Sequence, residues 1–171
     1  MKLSNAVLRL LFLPAVLALA APAAAQQAAS STLVTSFTPN VLSAAIAAVG
    51  GKQSEAKVEG VKSFYTLTLA SGIPVVAYFG DCQAQQCKTL ILVASLAKPA
   101  DRTLDQLDEL LRTVNNNVPA AKVFRVGDKV IVQGYVVADY GITQGNLQTQ
   151  LKVFSDIALS MYQTLNPKPA G

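Results

Sequence analysis

Residues 73–96, IPVVAYFGDCQAQQCKTLILVASL, decide the fold. Two apolar runs flank a short polar loop that holds both cysteines of the chain, Cys82 and Cys87. Runs of this kind, more continuously apolar than alternating, are consistent with central strands. The loop between them turns the second strand back along the first, which predicts an antiparallel hairpin.

Working outward, VKSFYTLTL precedes the hairpin and alternates, with Val61, Tyr65, Leu67 and Leu69 available to one face. Ser71-Gly72 turns it into the next strand, so the three segments form a meander. Upstream, Thr38 suits an N-cap and Pro39 the first helical position. Leu42, Ile46 and Val49 keep helical spacing, and Gly50-Gly51 stops the helix. The alanines opposite that stripe would let this helix lie close to a sheet. Downstream, Thr103 and Gln106 form a capping-box pattern, with Asp105 in the first turn. Leu104, Leu107, Leu111 and Val114 mark the buried stripe, and Asn115-Asn116-Asn117 with Pro119 end the helix. AKVFRV and KVIVQGYVVA then flank a Gly127-Asp128 turn, a second hairpin. From Thr143 a last helix carries Leu147, Leu151, Phe154, Ile157, Met161 and Leu165 at helical spacing. The expected order is α-β-β-β-α-β-β-α, an α+β domain with an antiparallel sheet packed by helices.

The N-terminus predicts export. Lys2 and Arg9 precede an apolar core, and Ala23 and Ala25 supply the small-residue pattern of a signal cleavage site, placed between Ala25 and Gln26. Residues 1–25 read as a signal peptide, 26–37 as a flexible lead-in, 38–165 as the domain and 166–171 as a C-terminal tail. The periplasm is the expected location. Losing Lys2 and Arg9 would lower the formal net charge of +4 by two. The remaining basic residues are scattered, which argues against a nucleic-acid surface. No second apolar run approaches the ~20 residues of a membrane span, so no stable insertion is expected after cleavage.

In an exported chain, an even cysteine count favours a disulfide between Cys82 and Cys87, with free thiols as the alternative. The four-residue separation is not the C-x-x-C of a redox motif. With no histidine in the chain, the two thiolates lack the usual partners of a zinc site. Closing so short a loop stabilises by about 2 kcal/mol on the chain-entropy model.

The missing histidine also excludes Ser-His and Cys-His nucleophiles and a histidine pH switch. Asp101, Asp105, Asp108 and Glu109 lack the spacing of an EF-hand and read as a solvated helix face. Gly141 and Gly145 are not followed by the Gly-Lys-Ser/Thr of a phosphate loop. No catalytic residue, cofactor or metal site is assigned. Phe154 and Met161 read as core, and Tyr162 as either core or partner surface.

The meander with its cysteine-bearing turn, the Asn-terminated helix before AAKVFRVGDKVIVQGYVV, and DYGITQGNLQTQLKVFSDIALSMYQTL together resemble the YbjN-like family of bacterial sensory transduction regulators. The resemblance covers residues 38–165. Family members often carry Trp-Asn near the end of the second helix, where this chain has Val114-Asn115. The resemblance implies a fold like the type III secretion chaperones, small α+β proteins that commonly dimerise and bind polypeptides, and it implies no known reaction. The expectation is an exported non-enzymatic protein acting by protein–protein interaction, with a protein partner or a homodimer. The alternative is a sensor holding a small molecule between sheet and helices. A bare apolar sheet face or groove would favour the binder, and an enclosed cavity the sensor.

Overall fold

The computed structural model describes residues 30–56, 64–84 and 86–167. The expected Ala25–Gln26 cleavage site, Val61 and the last four residues of the tail lie outside them. The element order is β1 (Leu33–Val34), α1 (Pro39–Ala48), β2 (Lys52–Ala56), β3 (Phe64–Thr68), β4 (Pro74–Gln83), β5 (Gln86–Ala97), α2 (Leu104–Asn117), β6 (Lys122–Val126), β7 (Lys129–Val137), β8 (Ile142–Thr143) and α3 (Gln144–Leu165). Six strands form an antiparallel sheet in the order β2-β3-β4-β5-β7-β6, and β1 pairs with β8 in a two-stranded ribbon. The fold is α+β, as expected.

Burial follows the period of two. On one face Tyr65, Leu67, Val75, Ala77, Leu90, Leu92, Ala94, Val130 and Val132 are no more than 4 % exposed. The helices supply the other half of this core through Leu42 and Ile46 of α1, Leu107 and Leu111 of α2, and Leu147, Leu151, Phe154, Ala158, Met161 and Leu165 of α3. Gly134 of β7 is what lets α3 approach. A Cβ there would stand 2.7 Å from the Phe154 ring, so the ring occupies the space a side chain would need.

The helix ends match the sequence signals. The Thr38, Thr103 and Thr143 hydroxyls accept from the backbone N–H of Val41, Gln106 and Asn146, and the Gln106 side chain completes a capping box. Two details of the stripes differ. Leu104 is 46 % exposed because it lies in the first turn of α2, beyond the sheet it was expected to meet. Ala44, Ala47 and Ala48 face solvent, because α1 packs on α3 and β2 through its Leu42 side.

The expected order needs two corrections. First, β2 was not foreseen. KQSEA has no apolar alternation, and it joins the sheet by its backbone ladder to β3, from Lys52↔Thr68 to Ala56↔Phe64. Second, residues 30–37 of the expected flexible lead-in belong to the fold. Leu33 and Val34 pair with Thr143 and Ile142, the Phe37 N–H donates to the Cys87 carbonyl at 2.7 Å, and Phe37 is fully buried. The segment is mostly small and polar, so its few apolar anchors gave no period to read. Phe37→Ala should therefore cost about 3–5 kcal/mol. Leu33→Ala, at a residue 61 % exposed, should cost far less in the same urea titration.

Candidate functional site

All three helices pack on one side of the six-stranded sheet, and no described element covers the other. The strand register sets out what that bare face presents. Phe64, Tyr78, Ile91 and Tyr135 stand side by side in one row across β3, β4, β5 and β7. The next row carries Thr66, Val76, Val93 and Gln133. Beyond it Ile131 pairs with Phe124, while Val137 stands opposite Thr89 on the far side of the aromatic row. Tyr135, Val137 and Val126 are 55 %, 51 % and 57 % exposed, against nearly complete burial of their neighbours on the helix side. Charges stand at the margin, with Lys52 and Lys122 on the edge strands β2 and β6 and Lys129 at the first residue of β7.

The cysteine hairpin sits at one end of this face. Cys82 and Cys87 are directly opposite one another in the β4–β5 ladder and their sulfurs are bonded. Here the Thr89 hydroxyl donates to the Asp81 carboxylate. Lys88 Nζ donates to the Thr35 carbonyl at 2.6 Å, and the Ala138 N–H donates to the Lys88 carbonyl. The hairpin tip thus gathers the N-terminal segment and the end of β7 around the staple.

The sheet edges are finished differently. At β6, the Asn115 side chain lies alongside the strand as a substitute partner. Its amide donates to the Val123 carbonyl at 2.7 Å, and its carbonyl accepts from the Val123 N–H at 2.8 Å. Arg125, on the same strand, pairs with Asp108 of α2 at 3.1 Å. Together they fasten α2 over the edge. At β2 the edge is protected by composition, since KQSEA carries Lys52 and Glu55.

The other flagged residues have structural partners. Phe154 and Met161 are core, whereas Tyr162 is 45 % exposed on α3. Glu109 pairs with Arg112 at 2.6 Å. Asn117 donates to the Thr113 carbonyl within its own helix. Gly141, at φ 84, receives the Leu33 side chain, and Gly145 lies against the Ser30 carbonyl. The Ser-x-x-Lys spacing of one hydrolase class occurs at Ser54 and Ser95, and both serines lie on strands. At Ser95 the strand geometry removes the one-turn approach to Lys98, whose ammonium donates instead to the Pro99 and Arg102 carbonyls, while Lys57, three residues after Ser54, lies outside the described residues. Among the described residues no group of His, Cys, Asp or Glu is placed to hold a metal, and no helix is long and apolar enough to cross a membrane.

Two hollows lie beside α3. One of about 190 Å³ separates α2 from α3 and is bordered by Val114, Val118, Ile157 and Met161. The other, about 170 Å³, lies between α1, α3 and the β3–β4 turn, where the Ser155 hydroxyl donates to Ser71. Both fall below the ~300 Å³ at which pockets begin to enclose a small-molecule ligand. Val114, where the family often has Trp, borders the first.

Two tests follow from the edge. Asn115→Leu leaves the Val123 N–H and carbonyl without their partner and should cost about 1–3 kcal/mol. Asn115→Asp keeps only the accepting half and should fall between. For Asp108, hydrogen bonding to Arg125 holds the carboxyl below the usual carboxylate range, against a smaller opposing effect of burial. A depressed folded-state value contributes stability above the unfolded-state value, lost as pH falls through the folded one. Asp108→Asn should therefore lower the urea midpoint at neutral pH, and the gap to wild type should close in acid.

The chain's likeness to known proteins agrees with this geometry. No curated protein matches the sequence significantly. Among solved structures, the fold resembles the crystal structure of YbjN from E. coli, described as "a putative transcription regulator", with a TM-score of 0.56 and 15 % identity over 78 % of this chain and 96 % of that one. The profile of the YbjN family, described as "Putative bacterial sensory transduction regulator", matches residues 38–167. The match takes in both hairpins, the Asn115 edge and all three helices, and on that extent the chain belongs to the YbjN family.

Proposed function

We propose that this protein is an exported, non-enzymatic regulator that acts by binding a polypeptide on the bare face of its sheet. The observation that carries the reading is that face. Soluble monomers rarely leave a contiguous apolar patch of more than a few hundred Å² in water, and larger ones mark interaction sites. The row Phe64, Tyr78, Ile91 and Tyr135, with Val76, Val93, Ile131 and Phe124 around it, makes a contiguous apolar surface of exposed and half-buried side chains. Tyrosine is a residue that interfaces favour, since it joins a large apolar ring to a polar tip. The family's description as regulators supports the same reading. The hollows beside α3 are smaller than a ligand would need, and a larger one of about 370 Å³ lies open at the β6 edge by Pro119, Lys122 and Phe124 rather than enclosed between sheet and helices, so a small-molecule sensor has less support. The signal-like N-terminus and the disulfide support a periplasmic setting.

Export is tested by N-terminal sequencing of the protein released by osmotic shock, which should begin at Gln26. A protein found only in the cytoplasm with its N-terminus intact would sink that part. Binding is tested by placing a photo-cross-linking residue at Tyr135 and, as a control on the helix side, at Tyr162. Adducts with a polypeptide should form from position 135 and not from 162. Cross-linking from neither position, or from 162 alone, would end the case for the sheet face.

A further inference from the structure

We infer that the polypeptide received by the bare sheet face is an acidic one, an apolar segment flanked by carboxylates that meet Lys52 at one edge and Lys122 and Lys129 at the other. The inference rests on the binding reading above and names the chemistry of its partner.

The distribution of charge makes the first argument. Residues directly opposite one another in a ladder share a face, and faces alternate along a strand. Lys52 is opposite Thr68, Lys122 opposite Gln133 and Lys129 opposite Ala97, so all three project on the side away from the helices. Among the described residues, no strand position on that side is acidic. The acids gather on the helix side instead, with Asp105, Asp108 and Glu109 on α2 and Asp156 on α3. The bare face thus meets a partner with a positive rim, which attracts carboxylates and repels other cations.

The state of these lysines makes the second. Cations elsewhere in the fold are engaged. Lys88, Lys98 and Arg102 donate to backbone carbonyls, while Arg112 and Arg125 pair with carboxylates. Lys52, Lys122 and Lys129 are exposed and have no ion pair or side-chain hydrogen bond among the described residues. Their ammonium groups are free to meet the carboxylates of a partner.

The layout of the face makes the third. Five strand spacings separate β2 from β6, which amounts to about 24 Å. A segment lying across the strands between those edges passes over the aromatic row or over the neighbouring row of Thr66, Val76, Val93 and Gln133. Its middle meets a mainly apolar surface and its two ends meet lysines. At the β6 edge the face runs into the open hollow of about 370 Å³, because Phe124 stands on the face and also borders the hollow with Val118, Pro119 and Lys122. An apolar side chain seated there would bring an acidic neighbour to the Lys122 ammonium.

The test is selection on the immobilised protein from a phage library of random peptides of about 16 residues, long enough to cross the sheet even as a helix. Selected sequences are remade as fluorescent peptides for anisotropy titration. The titrations compare wild type with Lys52→Gln/Lys122→Gln/Lys129→Gln, with Tyr135→Gln/Val137→Gln, and with Lys152→Gln, which removes an exposed charge from α3. Every substituted residue is exposed, so the variants should fold, and circular dichroism checks that they do.

The expected peptides carry Asp or Glu on both sides of an apolar stretch. They should bind about tenfold more weakly to the triple-lysine variant and keep their affinity for Lys152→Gln. Added salt should weaken their binding to wild type more than to the triple variant. Selected peptides without acidic residues, or equal affinity for wild type and the triple variant, overturn the inference. Where such peptides still lose affinity in Tyr135→Gln/Val137→Gln, the binding reading stands and only the chemistry of the partner falls. Peptides indifferent to Tyr135→Gln/Val137→Gln sit elsewhere on the molecule and reject both. So does an empty selection, including one in which the protein instead sediments with vesicles of anionic phospholipid.

Discussion

The twelve-residue strand β5 is the constraint on which the rest of the molecule hangs. It is paired with β4 over Gln86–Ala94 and with β7 over Thr89–Ala97, so it cannot slip by one residue without turning its own buried side chains to the opposite face of the sheet. Its Leu90, Leu92, Ala94 and Leu96 form the floor on which the helices stand. Its first residues also tie down the chain's N-terminal segment through Cys87 and Lys88. The disulfide at its start fixes the hairpin register at the point where a ladder is otherwise free to fray. Removing that pairing would loosen three segments at once, because Phe37, Ala138 and β4 all meet there.

Much of this architecture was legible because local signals agreed with the global packing. The caps at Thr38, Thr103 and Thr143 each carry their own hydrogen-bonding logic, and the stripe on α3 keeps its period along the whole helix. The two hairpins announce themselves by turn residues between apolar runs. What escaped was structure that borrows its stability. β2 is held by its backbone ladder and buries little of its own side chains, so a polar KQSEA gives no period. The Leu33–Phe37 segment has only scattered apolar residues, each of which becomes informative once a distant strand stands opposite it.

The candidate site was legible only in half. The continuous apolar runs of β4 and β5 correctly imply that both faces of these strands are hydrophobic. They do not reveal that every helix goes to the same side. Which face a helix covers is decided by crossover geometry and by fitted contacts such as Phe154 on Gly134, and neither leaves a mark on strand periodicity. Asn115 is a second example. Its sequence context suggested a helix terminus, and it does lie in the last turn of α2. Its amide, however, serves the neighbouring strand, eight residues downstream. A side chain standing in for a strand cannot be told from a cap until the strand is seen beside it.

The pairing of β1 with β8 has a consequence in time. Leu33 meets Thr143, so the first strand to leave a ribosome or a translocation channel finds its partner only after more than a hundred further residues have followed. Contacts so distant along the chain close late, since the intervening loop must be ordered before they are rewarded. On any amino-terminus-first route β1 therefore waits for β8, even after Thr35 and Phe37 have met the start of β5. The ribbon acts as a latch that closes only once β8, at the foot of the last helix, has been made.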